Sequence, residues 1–428
     1  MKLIYKMSIL TNIESLSFEK RQNISKDLEL KIENKFAGEP RYVYPFEIVD
    51  DNIVLPFAYA SQKVKLKRPE RVSFPNMTVK FDGVIREEQT SIIKESQSIL
   101  SSTGSVMISC YTGCGKTCCS IKLACTVGFK TLVVVNKLVL MKQWKESIIK
   151  FCPRANVQIL TTKSTKTDAD FYIMNAQNIE KMGTSFFSDI GLVIVDEAHL
   201  IMAETLSKSL QYVYPRYLIG LTATPYRPDG LNVLLELYFG KQKVIRELHR
   251  EHKVYKVTTD FKPTIEYAVN GRVNWGTILD SQAQDVGRND IILKIISHFK
   301  DRNFLVLVKR IAQGEYLQQK LKELGEDVTS LLGTNQEFEV NSRILIGTTS
   351  KVGTGFDHPK LDTLLLATDV EEYFIQFLGR VFRRKDSIPV IFDLVDNYSI
   401  LNKHWNTRRK VYQDHGGVIH NLNLMQLK

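Results

Sequence analysis

A lysine and a hydroxyl residue directly behind two glycines make a phosphate grip, and the hexapeptide TGCGKT, Thr112–Thr117, supplies one. Gly113 and Gly115 let backbone N–H groups curl around phosphate oxygens, with Thr112 and Cys114 completing the turn. A helix starting at Lys116 would add the partial positive charge of its N-terminus. Lys116 would reach the β- and γ-phosphates of a nucleotide and Thr117 would ligate Mg2+. Where the general eight-residue pattern has its first glycine, this chain has Cys110. The same stretch is dense in sulfur: Cys110, Cys114, Cys118, Cys119 and Cys125 are five of the chain's six cysteines. A zinc site needs four converging ligands, whereas these fall on a strand end, a loop and a helix, with only Cys152 elsewhere. They read as small apolar packing residues. Cys114 is the exception: beside a helix N-terminus and Lys116 its thiol pKa should be lowered, and oxidation or alkylation there would block nucleotide.

About 80 residues further on, the segment GLVIVDEAH is an apolar strand that ends in two acids. Open parallel sheets bind ligands at the C-terminal edge of their strands. At that edge Asp196 would hold Mg2+, and Glu197 would orient and deprotonate an attacking water.

Together these two motifs resemble those of superfamily 2 helicases, and further segments match that family's remaining motifs in order. GLTATPYR, through Arg227, resembles the motif that couples hydrolysis to nucleic-acid grip, with Thr222 and Thr224 as the coupling hydroxyls. TTSKVGTGFDHPKLDTLLLAT resembles the segment that touches nucleic acid near Thr348 and ATP near Gly355 and Asp357. QFLGRVFRR resembles the Q-x-x-G-R-x-x-R motif, which the resemblance places at the inter-domain cleft through Gln376, Arg380 and Arg383. Phosphoryl transfer builds negative charge that a guanidinium can stabilise, so Arg383 is the expected arginine finger with Arg380 beside it. A bare run of Arg380, Arg383, Arg384 and Lys385 could equally be a solvated basic face. FDGVIREEQ resembles the adenine-reading motif, in which Gln89 would contact the base edge with help from Arg86, although Glu87 and Glu88 stand where an aromatic residue or proline is common.

For nucleic acid, the resemblance implies backbone-holding contacts at Asn136 in VVVNKLVLMKQW, Gln177 in NAQNI, and Arg310 with Gln313 in LVKRIAQ. Such contacts give affinity and register without reading sequence. Trp144 reads as a packing residue on its amphipathic helix. His199, just after the acids, either links the ATP site to the coupling threonines or is a structural histidine. The resemblance covers about residues 81 to 415 and is nearest the branch of XPB-type and UvsW-type helicases and related helicases of large cytoplasmic DNA viruses.

These motifs need two sheets to carry them. From about Phe81 to Phe239, short apolar strands (VMISC, TLVVVN, DFYIMN, GLVIVDE, YLIGLTAT) alternate with helix-length segments, the pattern of a parallel sheet covered on both faces. The alternation returns after residue 285 with NFLVLVK, RILIGTTS, TLLLAT and PVIFDLVD. The expected fold is therefore α/β, two tandem RecA-like domains facing each other across a cleft, with a small β-rich N-terminal unit in which FEIVDDNIVLPFAYA forms two strands around a turn. The expected divisions are residues 1–80, 81–252, a connector 253–285, and 286–428 ending in a basic, partly helical tail.

Hydrophobic residues at 43% and charged residues at 25% suit a globular chain with sizeable cores, and a net charge of +11 suits a polyanionic partner. Lys6 interrupts the N-terminal apolar residues and no run approaches the roughly 20 residues that cross a bilayer, so the expectation is a soluble intracellular monomer without membrane contact. If viral, it would lie in host cytoplasm and in the virion, serving transcription or repair machinery by analogy with its relatives. The sequence points to an ATP- and Mg2+-dependent motor on DNA or RNA. An ATP-gated clamp that binds duplexes without unwinding would use the same motifs. A metabolic P-loop kinase would not need the second α/β half.

Overall fold

In the computed structural model the description covers residues 8–32, 41–201, 212–223, 232–269, 271–335, 337–353, 358–370, 374–384 and 386–423. Thr224, Gly355 and Asp357 lie outside the described residues. The chain divides into two units, residues 1–246 and 247–428.

The first unit is built on a seven-stranded sheet whose strand pairs are all parallel. From edge to edge its strands are Lys243–Arg246, Ser105–Cys110, Tyr217–Thr222, Leu192–Val195, Thr131–Val135, Phe171–Asn175 and Val157–Leu160. The inner strands are apolar without alternation because helices cover both faces. One face buries Val106, Ile108, Val133 and Ile194, and the other buries Met107, Leu132, Val134 and Val193. The strand order has a chemical consequence. Ser105–Cys110, Tyr217–Thr222 and Leu192–Val195 are neighbours, with Thr222 opposite Ser109 and Val195 opposite Gly220. Three motifs far apart in sequence thus emerge side by side at one sheet edge.

The N-terminal residues of this unit form a smaller antiparallel sheet in which Asn52–Pro56 pairs with both Ser8–Asn12 and Glu47–Val49. The expected turn is present at Asp50, whose φ is 53°. The helix Phe18–Asp27 and the residues around Tyr59 close over Ile9, Ile53 and Leu55, and Tyr214 and Leu237 pack against that cluster.

The second unit holds another seven-stranded parallel sheet, in the order Val328–Leu331, Ile344–Thr348, Phe304–Val308, Thr363–Leu366, Val390–Val395, His252–Thr258 and Gly417–Asn421. Both halves are therefore α/β and RecA-like, as the motifs require. Two elements correct the reading of the sequence. The segment expected to be an irregular connector supplies the strand His252–Thr258 and the helix Trp275–Gln284. The tail, expected to be partly helical, does hold the helix Ser399–Asp414 but also supplies the edge strand Gly417–Asn421. HKVYKVT interrupts its apolar residues with two lysines and GVIHN is half exposed at an edge, so neither has the continuous apolar run that marks the inner strands.

Buried ion pairs join this unit's elements. Arg288 Nε lies 2.9 Å from Asp396 Oδ1 with both side chains wholly buried, and Arg288 Nη1 donates to Ala367 O at 2.6 Å. Arg408, from the C-terminal helix, donates to Asp393 through Nε and Nη2 at 2.8 Å and to Asp369 Oδ1 at 2.7 Å. Tyr412 Oη donates to Asp393 Oδ2 at 2.8 Å. Removing one partner from a buried pair of this kind costs about 3–5 kcal/mol, because the other is left charged and dry.

Candidate nucleotide and nucleic-acid sites

The phosphate-loop sequence leaves the strand Ser105–Cys110 and runs into the helix Lys116–Val127. Gly113 and Gly115 have φ of 94° and 96°, the left-handed region that glycine enters without strain. At Gly115 a Cβ would also lie 2.1 Å from Gln89 Nε2, so the position is closed to side chains. Cys110 shows why the first glycine of the general pattern is dispensable here. It is the last strand residue, its side chain is buried in the core, and its carbonyl accepts Lys116 Nζ at 2.7 Å. The lysine is thus held on the loop's own backbone, where phosphate oxygens would replace the carbonyls. Thr112 and Thr117 are half-buried.

Arg86 and Gln89 grip this loop from outside. Arg86 Nη2 donates to Gly113 O at 3.2 Å and Cys114 O at 2.5 Å, and Gln89 Nε2 donates to Cys114 O at 3.1 Å. Gln89 Oε1 accepts the Arg86 backbone N–H at 3.0 Å. The amide expected to read a base edge is therefore turned onto the phosphate loop and its own helix start. Beside it is a cavity of about 380 Å3 lined by Val84, Arg86, Gln89, Gly115, Cys118 and Phe151, among others. Phe151 is fixed there by stacking on Phe81, with ring centroids 5.5 Å apart.

The cysteines fit their reading as core residues: Cys110, Cys114 and Cys119 are buried in the first sheet's core. The Cys114 thiol is held below its ordinary range, first by a hydrogen bond from Cys110 and then by Lys116. It is nonetheless fully buried, so a thiol reagent reaches it only when the loop opens.

The two acids follow the strand Leu192–Val195. Asp196 Oδ2 accepts the indole N–H of Trp144 at 2.8 Å, and Asp196 Oδ1 accepts the Glu197 backbone N–H at 3.0 Å. Glu197 has φ of 48°, uncommon for a side chain of its size and a mark of backbone held under constraint. His199 Nδ1 lies 3.5 Å from Glu197 Oε2 and 2.8 Å from Thr222 Oγ1, with His199 and Thr222 fully buried. His199 Nδ1 thus hydrogen-bonds the Thr222 hydroxyl and stands near the Glu197 carboxylate.

Thr117 and Asp196 offer a hydroxyl and a carboxylate, hard oxygen donors of the type Mg2+ prefers, so these residues fit the metal that the sequence implies. Burial of its carboxylate and the charge of Glu197 push Asp196 up to about 6, against the opposing pull of Trp144 and Lys116. A group raised in the folded state stabilises the protein below its unfolded value and loses that contribution as pH climbs to about 6. A metal held by Asp196 would take the carboxylate form, so below about pH 6 its uptake would expel a proton. Metal-dependent nucleotide affinity should accordingly weaken as pH falls below about 6. Calorimetry from about pH 5 to about pH 8, in buffers of different ionisation enthalpy, measures both the affinity and the proton release; a flat profile without release would contradict this reading.

Of the expected nucleic-acid contacts in this unit, Gln177 is exposed in the first turn of the helix Ala176–Met182, and Asn136 follows the strand Thr131–Val135 with its Oδ1 buried and unpartnered. In the second unit Thr348 is nearly buried at the end of its strand, within 3.2 Å of Ser350 Oγ. Arg310 donates to Asp280 Oδ1 at 2.5 Å and Gly276 O at 3.1 Å. Gln313 departs from expectation. It is 2% exposed and donates to Asn289 Oδ1 at 3.0 Å, so it serves the core and cannot hold a phosphate backbone.

Gln376 and Arg380 are buried on the helix Phe374–Val381, with Arg380 Nη2 donating to Gly353 O at 3.1 Å. Arg383 is half-buried just beyond that helix. Arg384 is tied to Asp362 Oδ2 at 3.1 Å and to Asp386 Oδ2 at 2.6 Å, which makes it structural. Sequence reasoning missed Arg408, which also donates to Val370 O at 3.1 Å. It missed the Trp144 to Asp196 hydrogen bond as well, since a tryptophan on an apolar helix face gives no local sign of a polar partner.

Comparison with known proteins agrees with this arrangement. The family model described as type III restriction enzyme, res subunit, matches residues 82–227. The protein named "Putative helicase 161L" of Invertebrate iridescent virus 6 is 44% identical over 98% of this chain and 100% of its own length. "Putative helicase 055L" of Frog virus 3 (isolate Goorha) is 30% identical over 84% of each chain. S. cerevisiae Dbp5 bound to RNA and ADP BeF3 shares the fold, with a TM-score of 0.56 at 14% identity over 79% of this chain and 94% of that one. Among the described residues no helix is long and apolar enough to cross a membrane. The motifs, the paired parallel sheets and this extent of identity lead to one conclusion: the chain belongs to the viral helicase family of superfamily 2 that these iridovirus proteins represent.

Proposed function

We propose that the chain is a nucleic-acid-dependent ATPase that couples hydrolysis of ATP·Mg2+ to strand separation or movement on DNA or RNA. The observation that carries this reading is the position of His199 Nδ1 at the edge of the first sheet, 3.5 Å from Glu197 Oε2 and 2.8 Å from Thr222 Oγ1. It sets one buried imidazole between the candidate general base and a motif whose counterparts respond to nucleic acid. In this reading Lys116 holds the β- and γ-phosphates, Thr117 and Asp196 hold Mg2+, and Glu197 activates water. Arg380 and Arg383 neutralise charge on the transferred phosphoryl group. Asn136, Gln177, Arg310 and Thr348 contact the sugar-phosphate backbone, and Thr224, Gly355, Asp357 and Gln376 complete the coupling and nucleotide contacts. The Arg310 to Asp280 pair must open for Arg310 to do this. An exposed ion pair contributes about 0–1 kcal/mol, so a phosphate can compete for the arginine.

The test is steady-state ATP turnover with single-stranded and duplex DNA, single-stranded and duplex RNA, and hybrids as activators, with Lys116→Ala as the inactive control. At least one polynucleotide should raise turnover, and a labelled strand should be displaced from a partial duplex. Turnover indifferent to every polynucleotide sinks the motor reading. Stimulated turnover without strand release or movement replaces it with an ATP-gated clamp.

A further inference from the structure

The helix Leu138–Phe151 begins beside the expected nucleic-acid contact and ends at the cavity next to Gln89 and Gly115. Its first turn adjoins Asn136, whose Oδ1 is buried without a partner, and presents Leu138 and Val139 at 72% and 41% exposure. Six residues later, about 9 Å along the axis, comes Trp144. Its ring is buried among Leu140, Met141 and Ile148 of the same helix and the core of the sheet, at 2% exposure. Packing alone accounts for the ring but not for its one polar atom, which a phenylalanine would lack. That atom points at Asp196 Oδ2 from 2.8 Å. The other Asp196 oxygen receives the Glu197 N–H at 3.0 Å, so both lobes of the carboxylate have a fixed donor.

We propose that Trp144 is a positioning residue for the metal site: its indole N–H fixes the rotamer of Asp196, and through it the helix Leu138–Phe151 reports its own position to the bound metal. This rests on the reading of Asp196 as the Mg2+ ligand and adds a residue that the helicase motifs do not include in that site. The chemistry is that of an outer-shell donor, which selects one orientation of a carboxylate and leaves its remaining lone pairs for the cation. Because the helix starts at the nucleic-acid contact, a strand that shifts its first turn also moves the indole. Reciprocity of binding then requires metal and nucleic acid to alter each other's affinity.

The experiment is binding rather than turnover, on the full chain. The affinity of a non-hydrolysable ATP analogue is measured by calorimetry in EDTA and in Mg2+, for wild type, Trp144→Phe, Asp196→Asn and the double variant. In wild type Mg2+ should tighten binding. Trp144→Phe should lower that metal-dependent gain by about 10- to 100-fold while leaving metal-free affinity unchanged. In the Asp196→Asn background the same change should do nothing further, since contacting residues are not additive when one acts through the other. A packing residue would lower both affinities or neither, and would add to Asp196→Asn.

A second readout needs no Trp144 variant. The chain has three tryptophans, and one indole 15N–1H resonance should move when Mg2+ joins the bound analogue and should be displaced by Asp196→Asn. A Trp144→Phe protein that keeps the wild-type Mg2+ gain, or an indole spectrum blind to Mg2+, overturns the inference. If wild type binds the analogue no better with Mg2+ than without, the metal reading of Asp196 falls first and the inference with it.

Discussion

Glu197→Gln should bind ATP·Mg2+ as the wild type does and lose turnover by about 10^2- to 10^4-fold, the range that a positioned general base supplies. The substitution is nearly isosteric, and the site gives it little reason to unfold. The Glu197 side chain is 16% exposed, and the substitution leaves its backbone φ of 48° to the same kind of unbranched side chain. What the amide loses is the ability to take a proton. Single-turnover hydrolysis, set beside the affinity for a fluorescent nucleotide, separates the two effects. Weakened binding together with weakened turnover would mean that Glu197 holds the nucleotide or its metal instead of activating water. Turnover within a few-fold of wild type would move the general base elsewhere.

Arg383→Ala should likewise keep nucleotide binding and lose turnover, by about 10^3- to 10^5-fold if it acts as an arginine finger. Burial of the guanidinium pulls Arg383 below the ordinary arginine value, an expense that an exposed position would avoid. The adjacent Arg384 provides the contrast. It is tied to Asp362 and Asp386 and should matter to local structure only, so Arg384→Ala should leave turnover within a few-fold. Arg383→Lys should recover little, because an ammonium cannot reproduce a planar two-pronged contact to phosphoryl oxygens. Parallel loss in Arg383→Ala and Arg384→Ala, or loss of binding in Arg383→Ala, would refute the assignment and return the run of arginines to a basic surface.

What the sequence makes legible is whatever a short segment settles by itself. TGCGKT between an apolar run and a helical segment foretells the strand, loop and helix found there, because Gly113 and Gly115 supply the left-handed backbone that the turn needs. VIVDEAH does the same for the acids, and the alternation of apolar runs with helices announces both parallel sheets. Partner choice across the fold is another matter. Gln89 was assigned from its motif to a base edge, yet its amide grips Cys114 O, 25 positions away. Trp144 and Asp196 are 52 positions apart, and only the sheet order brings them to 2.8 Å. Gln313 carries the residue type of a phosphate contact but is consumed by Asn289. The strands His252–Thr258 and Gly417–Asn421 escaped notice because their lysines and half-exposed residues break the apolar pattern.

The placement of those two strands bears on how the protein is made. His252–Thr258 lies in its sheet between Val390–Val395 and Gly417–Asn421, so it pairs with segments more than 130 positions later in the chain. Arg408, the counter-charge for both Asp393 and Asp369, arrives equally late. The seven strands of the first unit's large sheet are complete once Arg246 is synthesised, whereas this early strand of the second unit waits with unpaired edges until residues 390–395 and 417–421 are made. A growing chain thus passes through a long interval with one finished half and one exposed, sticky strand. That interval is when a nascent-chain chaperone would have most to protect, and a pause in synthesis shortly before residue 420 would be costlier than one shortly after.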